Sequence, residues 1–384
     1  MWPLESSSRS VSTFSFCFSN CFEAGVVHGM DESMTWHNVR HAIDEFNVAN
    51  VGLPVPLSLG LVHPTDPFAS VEDRFCDVVQ RELIGLFVPT DVLNAEQLML
   101  VFSMCNRFHI PCLTTDDNIL RFNGMDFFCC VFLFEYLGDN FYVQNVAPPS
   151  GLTGKALAQL ISSLGWNSFL LVYEKAEDLV DVTALLSIYY NEHGTRTQVR
   201  VLQLPPTFDH YDAFLKHVRE RLKQTNMVVH TKNIGLIHEL LLRANRMSMC
   251  DFKYSYLFTH PDLSLLDEVL GFDRFNYRCN ISGIRLSQKA PLLKTELALA
   301  TSAVDLFGET LKSLARRPLL PQPAAVLCDA GDVWVDGELF NSALRKMILP
   351  GAMRLAPVHG QTLARANVTL EGVTRTKGHF TERV

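Results

Sequence analysis

The sequence predicts an α/β protein of two lobes, each built from a mostly parallel sheet between helices. Helical and strand-like segments alternate along the chain, as in residues 151–173, where an apolar helical stripe precedes the short strand Phe169–Tyr173. A strand that is apolar on both faces is typical of a parallel sheet covered by helices on each side. The length of 384 residues exceeds that of one usual domain, which favours two such lobes.

The elements of the first lobe follow from short local patterns. Leu57, Leu59 and Leu61 alternate with small or polar residues, which predicts a half-buried edge strand. Ser70 lies three residues before Asp73, and this spacing predicts a capping box at the start of a helix. We predict strands at 22–28, 57–61, 83–88, 110–113 and 141–145, and helices at 35–47, 70–82 and 94–107.

The second series begins with the helix in residues 151–173. Thr153 is expected to cap its first free amides, and Gly165 supplies the left-handed residue that ends it. Its predicted apolar stripe comprises Leu157, Leu160, Ile161 and Leu164. We predict further helices at 178–190, 211–222 (capped by Asp209), 234–244, 293–314 and 340–348, and strands at 199–204, 227–230, 254–259 and 368–373.

Composition excludes several kinds of protein. The net charge of -8 argues against nucleic acid as a partner, because phosphate binding needs a concentrated basic surface. No run of 18 apolar residues exists, and the densest stretch, 127–134, is predicted to be a buried strand. Residues 1–21 are expected to be a weak signal-like or disordered leader, since the apolar run 11–18 has only Arg9 as a nearby positive charge.

The sequence contains no motif that indicates catalysis. The phosphate-binding, dinucleotide, zinc-protease and nucleophile-elbow signatures are absent, so we expect neither an enzyme nor a cofactor or metal. Gly151, Thr153 and Gly154 open a helix, and their amides and hydroxyl are candidates for holding an anion such as a carboxylate. An ordinary helix start explains the same residues.

Cysteines and sequons leave the compartment open. The ten cysteines show no zinc-site spacing, and their spacing alone assigns no disulfide; most are expected to be buried as small apolar residues. Asn280-Ile-Ser and Asn367-Val-Thr are glycosylation triplets that matter only if the chain is secreted.

Several segments, in order and spacing, match a known family. They include Tyr256-Leu-Phe-Thr-His-Pro-Asp-Leu, Asn280-Ile-Ser-Gly-Ile-Arg-Leu, Phe169-Leu-Leu-Val-Tyr-Glu after Gly165-Trp166, Phe75-Cys-Asp, Cys328 six residues before Trp334, and Asn367-Val-Thr-Leu. From about Phe22 to its end, the chain resembles the amino-terminal domain of ionotropic glutamate receptors, most closely the kainate type.

This resemblance implies a clamshell like that of periplasmic leucine-binding proteins, on the extracellular side of the plasma membrane. Lobe one would comprise 22–145 and 287–345, and lobe two 146–286 and 346–384. The family's lobe-one disulfide would join Cys76 to Cys328, and Asn280 and Asn367 would carry glycans. Such a domain directs the assembly of synaptic channel subunits and modulates gating, whereas agonist binds downstream. We therefore expect a dimer with homologous subunits through the lobe-one helices 70–82 and 94–107.

The chain also departs from the family. Thr295-Glu-Leu-Ala-Leu follows soon after Leu286, where the family has a longer helical region, and 127–136 resembles an insertion. The chain ends where the agonist-binding domain would begin, so any link to the membrane is expected from a downstream region. Two alternatives stay open: an amino-acid-sensing ectodomain with ligand in the cleft, and a cytosolic α/β enzyme.

Overall fold

The computed structural model describes the greater part of the chain. The described residues are 22–26, 34–50, 57–61, 70–80, 83–88, 93, 95–114, 142–146, 152–191, 198–263, 265–268, 277–286, 294–317, 319–323, 325–347, 353–358, 361–368, 370–376 and 379–383. The residues predicted as a strand at 127–134 and as a leader at 1–21 lie outside them.

The described secondary structure alternates between strands and helices. The strands are β1 (Phe22–Val26), β2 (Leu57–Leu61), β3 (Leu83–Phe87), β4 (Cys112–Thr114), β5 (Val143–Asn145), β6 (Ser168–Tyr173), β7 (Gln198–Gln203), β8 (Asn226–His230), β9 (Ser255–Phe258), β10 (Asn280–Leu286), β11 (Met353–Val358), β12 (Gln361–Val368), β13 (Leu370–Thr376) and β14 (His379–Arg383). The helices are α1 (Met34–Ala49), α2 (Val71–Val79), α3 (Ala95–Phe108), α4 (Leu152–Ser163), α5 (Thr183–Asn191), α6 (Tyr211–His217), α7 (Ile234–Arg246), α8 (Leu265–Glu268), α9 (Thr295–Ala315) and α10 (Gly337–Lys346).

These strands form two seven-stranded sheets, one for each lobe. The first has the order β11-β12-β5-β4-β3-β1-β2, and the second has the order β14-β13-β10-β9-β8-β6-β7. Pairing is parallel from β2 through β12 and from β7 through β10, and antiparallel only for β11, β13 and β14. The predicted fold class of mostly parallel sheets between helices is confirmed, and β2 is the edge strand that its alternating pattern indicated.

The second sheet is covered on both faces, as the apolar run of β6 predicted. Leu170 and Val172 pack into one core cluster with residues of α6 and α7. Phe169 and Leu171, which alternate with them, pack into another with residues of α4 and α5. Successive side chains of a strand point to opposite faces, so one strand contributes to both helix layers.

Two aromatic rings hold α9 in the first lobe. Phe307 of α9 lies over Gly85 of β3, where an added Cβ would come within 2.6 Å of the ring. Gly308 leaves room in the same way for the ring of Phe46 from α1. Side chains larger than glycine at these two positions would push the helix away from the sheet and from α1.

The boundary predicted for the last part of the chain is wrong. The prediction assigns residues 346–384 to lobe two, but β11 and β12 belong to the first sheet, where Leu363 pairs with Asn145. Only β13 and β14 join the second sheet, beside β10. The strand predicted at 368–373 is therefore the junction of two strands in different sheets, and the chain passes from one lobe to the other next to Val368.

Three local predictions at helix ends also need correction. The helix α4 begins at Leu152, so Thr153 lies within its first turn and does not precede it as a cap. His210 precedes α6 without a side-chain hydrogen bond, so Asp209 is not its cap. Leu164, predicted as part of the apolar stripe of α4, is 44% exposed because the helix ends before it. By contrast, the Ser70–Asp73 capping box and the left-handed Gly165 are both present.

Candidate functional site

The carboxyl ends of β6, β8 and β9 carry polar side chains that lie together. In open α/β sheets, ligands bind beside the carboxyl ends of the strands. We call this group the lobe-two polar cluster; its members are Glu174, His230, Thr231, Thr259, His260 and Asp262. The residues that directly follow β1, β3 (after Val88), β4 and β5 (after Val146) lie outside the described ranges, so the cluster is defined by residues of the second lobe alone.

His230 is the buried centre of the cluster, with 3% of its surface exposed. Its Nε2 lies 2.8 Å from the backbone oxygen of Asp178, and its Nδ1 lies 2.9 Å from the Thr259 hydroxyl. A carbonyl oxygen only accepts, so Nε2 carries a proton. The carboxylate of Asp181 lies 3.7 Å from the same nitrogen. The ring thus ties β8 to β9 and to the turn before α5.

Thr231 connects the ends of β6 and β8 to the start of α7. Its hydroxyl donates to the Glu174 carboxylate, and it accepts from the Asn233 backbone N–H at 3.0 Å. Asn233 in turn caps α7, because its Oδ1 accepts from Leu236 N at 3.2 Å. The polar residues after β8 therefore fix the direction in which α7 leaves the sheet.

His260 orders the turn that follows β9. The backbone N–H of Asp262 donates to its Nδ1 at 3.0 Å, so that nitrogen is unprotonated. Burial lowers the pKa of His260 below its ordinary value, against the smaller opposing effects of the Asp262 charge and a hydrogen bond with the Lys232 backbone. The neutral ring holds Asp262 in position.

Asp262 connects the two lobes. Its Oδ1 accepts from the Thr295 backbone N–H at 3.0 Å and from the Thr295 hydroxyl at 2.7 Å. Thr295 is the first residue of α9, whose preceding residue, Lys294, makes no capping hydrogen bond of its own. A lobe-two carboxylate thus caps a lobe-one helix, where it also compensates the positive end of the helix dipole.

Hydrogen bonds within the cluster hold several of its side chains in fixed positions. Both ring nitrogens of His230 have partners, and the Glu174 carboxylate accepts from Thr231. No group of three or more His, Cys, Asp or Glu residues suited to a metal occurs within the described ranges. Glu174 and His260 keep partial exposure, so they are the members that a small polar ligand between the lobes would meet first.

Of the residues predicted to hold an anion at the start of α4, the structure describes Thr153 and Gly154. Gly154 is buried, and a Cβ there would lie 2.9 Å from Leu185 N and 3.0 Å from Asp181 O. It is a close-packing glycine between α4 and the start of α5. Thr153 is half-buried beside it, and Gly151 lies outside the described residues.

Among the described residues, two disulfides tie the first lobe together. Cys76 of α2 is bonded to Cys328 with a Cα–Cα distance of 5.9 Å, the pairing that the resemblance implied. Cys105 at the end of α3 is bonded to Cys112 of β4, with a Cα–Cα distance of 6.4 Å. The sequence does not predict this second bond, because its cysteines lie seven positions apart and such spacing alone does not distinguish a bond from two buried thiols.

The two sequons occupy strands. Asn280 is exposed as the first residue of β10, and its Nδ2 lies 3.3 Å from the Ser255 hydroxyl. Asn367 lies in β12, and its side chain is outside the described set. Glycosylation of both stays a prediction.

One rigid segment of the first lobe exposes large apolar side chains. We call it the 327–339 segment; its exposed apolar residues are Leu327, Val333, Val335 and Leu339. Between them Trp334 is buried, with its Nε1 donating to Gln322 O at 2.9 Å and its backbone N donating to Phe108 O at 3.0 Å. The Cys76–Cys328 bond and the Val326 N–Val79 O bond of 2.9 Å join this part of the chain to α2.

Comparison with known protein families matches residues 37–353 to the family described as receptor family ligand binding region. The match covers most of the chain and includes strands β2 to β10 of the two sheets, α9 and the lobe-two polar cluster. Within the described ranges, no helix combines the length and the apolar character required to cross a bilayer.

Proposed function

The chain belongs to the receptor ligand-binding-region family, and from this premise we propose that it is the amino-terminal domain of a kainate-type ionotropic glutamate receptor subunit. In this proposal the domain is not an enzyme, carries no cofactor, and acts outside the cell by binding homologous subunits. Agonist binding and conduction belong to regions that are not in this sequence.

The disulfides support an extracellular location. Cys76–Cys328 and Cys105–Cys112 account for four of the six described cysteines, and both bonds lie in the same lobe. Such bonds persist in oxidising compartments and are rare in the cytosol. This observation favours the receptor over the cytosolic enzyme.

Assembly through the first lobe is supported by the exposed apolar side chains of the 327–339 segment. Val335 is 86% exposed and Leu327 is 52% exposed, although the segment is fixed by a disulfide and by buried Trp334. Apolar side chains held rigidly at a surface lose little conformational entropy when a partner covers them. A second copy of this chain, or a homologous subunit, is the occupant we propose.

The outer face of α2 argues for placing this segment, rather than α2, at the two-fold axis. This helix carries three exposed carboxylates, those of Glu72, Asp73 and Asp77. Residues close to a two-fold axis lie near their own copies, so carboxylates placed there would repel one another. The carboxyl end of α3 is a more suitable part of this interface than α2, because His109, which follows α3, contacts Gly337 of the 327–339 segment.

Light scattering on the secreted chain tests this interface. We expect a concentration-dependent dimer that Val335→Glu weakens by at least about tenfold in Kd, because a carboxylate would be buried at the interface. Val48→Glu is the matched control, since Val48 is 77% exposed on α1 of the same lobe. A wild-type monomer at tens of micromolar, or equal effects of the two variants, would contradict the proposal.

Calorimetry separates this function from amino-acid sensing. The receptor proposal predicts no tight binding of glutamate to the isolated chain, because agonist binds downstream in such receptors. Tight binding of glutamate or another amino acid would favour the sensor, and Glu174→Gln would then weaken it. Ser58→Ala on the far edge strand β2 serves as the control variant.

A further inference from the structure

Two cysteines of the second lobe lie next to each other without a bond. Cys250 and Cys279 are the free cysteines of the described chain, and they are 5% and 9% exposed. Both pack into the core cluster that α6 and α7 form with the second sheet. They lie at the amino ends of β9 and β10, which is the side of the sheet opposite to the lobe-two polar cluster.

Backbone hydrogen bonds place the two residues on neighbouring segments of the chain. Arg278 N donates to Cys250 O at 3.1 Å, and Asn280 N donates to Tyr254 O at 3.0 Å. Cys279 therefore lies between two residues that are hydrogen-bonded to the loop leading from Cys250 into β9. Parallel pairing of β9 with β10, in which Ser255 is opposite Asn280, continues this register.

The Cys250 thiol has two neighbours, the Leu241 backbone oxygen at 4.0 Å from its sulfur and the Cys279 thiol. A hydrogen bond with the Cys279 thiol, and then burial, raise the pKa of the Cys250 thiol, so the folded protein keeps it protonated. The Tyr256 hydroxyl beside them donates to Met249 O at 2.8 Å. No third metal-ligating side chain completes a site here within the described residues. The remaining explanations are two small buried side chains or a bond between them.

We propose that Cys250 and Cys279 form a disulfide inside the second lobe when the chain folds in the secretory pathway, an inference that rests on the proposed extracellular function. A protein dithiol–disulfide oxidoreductase is the oxidant. One cysteine thiolate attacks its disulfide to give a mixed disulfide, and the other then displaces the oxidoreductase. The chain loses two electrons and two protons, and the oxidoreductase leaves as a dithiol. Because the folded core buries both thiols, the thiol–disulfide exchange takes place before the second lobe has finished folding.

A peptide map of the secreted chain tests the bond. Free thiols are alkylated in denaturant at the moment of lysis or harvest, and the protein is then digested without reductant. We expect the peptides with Cys250 and Cys279 to be linked, and Cys279→Ala to leave Cys250 alkylated. If Cys76 and Cys328 are linked while Cys250 and Cys279 are both alkylated, the second-lobe bond is wrong and the proposed function stands. If all four of these cysteines are alkylated, both the second-lobe bond and the proposed extracellular function are wrong.

Stability measurements provide a second, independent readout. Cys250→Ala, Cys279→Ala and the double variant are compared by the thermal and urea unfolding of the second lobe. If a bond exists, either single substitution removes it, so each is expected to lower the folding equilibrium constant on the order of a hundredfold. The double variant would then lose little more than one single variant. Two losses that add in full would indicate separate packing and would overturn the proposal.

Discussion

Removing the Asp262 carboxylate is expected to loosen the junction between the lobes. In Asp262→Ala, the Thr295 backbone N–H and hydroxyl lose the acceptor that they now share at 3.0 and 2.7 Å. Loss of a helix cap costs about 1 kcal/mol, and leaving the buried Thr295 hydroxyl without a partner costs about 1–2 kcal/mol. We therefore expect a loss of about 2–3 kcal/mol in the free energy of unfolding.

Graded variants separate the parts of this loss. Asp262→Asn keeps an acceptor and removes the charge that faces the helix end, so about 0.5–1 kcal/mol is expected. Thr295→Val keeps the shape and the backbone bond, and about 1 kcal/mol is expected from the lost hydroxyl. Asp251→Ala is the surface control, because the Asp251 carboxylate bonds only locally, to Lys253.

Urea unfolding and hydrogen exchange provide the assays. Exchange in Asp262→Ala should accelerate in the first turn of α9 and in the turn after β9, while α7 stays protected. A loss for Asp262→Ala no larger than that of Asp251→Ala, with unchanged exchange at Thr295, would refute the capping of a lobe-one helix by lobe two.

Three other perturbations test contacts within the individual lobes. Replacing Cys76 and Cys328 with alanine should lower the free energy of unfolding in urea by about 4–5 kcal/mol, and replacing Cys105 and Cys112 should lower it by only about 2–3 kcal/mol. The reason is that the first bond closes a loop with a sequence separation of 252 and the second one with a separation of 7. Equal losses would contradict this ranking. Gly154→Ala should destabilise the second lobe by about 1–2 kcal/mol in thermal unfolding, because the added Cβ would meet Leu185 N and Asp181 O. Alanine normally favours helices over glycine, so a gain in stability would contradict the packing role of Gly154. The pKa of His260 is lowered in the folded state, so the unfolded chain binds more protons than the folded protein as the pH falls through the ordinary value of 6.5. The free energy of unfolding should therefore fall on acidification from about pH 7.5 to 5.5, and it should fall less steeply in His260→Gln. Identical slopes for the two proteins would contradict a buried neutral ring.

Local patterns predicted most of the elements. The capping box of α2 depends on two residues three apart, and both hydrogen bonds are present. The apolar run Phe169–Val172 within β6 is buried on both faces, as its composition predicts. Such features depend on neighbours in sequence, so a single chain is sufficient to find them.

Contacts between residues that are distant in the chain could not be predicted from the sequence. Asp262 caps a helix that begins 33 residues later, and no local pattern marks that pairing. In the sequence, Gly154 resembles part of an anion-holding turn. Its packing role is not visible there, because Asp181 and Leu185 come into contact with it only in the folded lobe. The sequence does not indicate the return of β11 and β12 to the first sheet, because the crossing at Val368 interrupts an apparently continuous strand pattern.

The most direct test of an extracellular receptor domain is the state of Cys76 and Cys328 in the protein from its own cells. The native chain is isolated with immediate alkylation and mapped without reduction. We predict that the peptides containing these two cysteines are recovered as one linked species. Recovery of both peptides in alkylated form would contradict an extracellular domain and favour the cytosolic alternative.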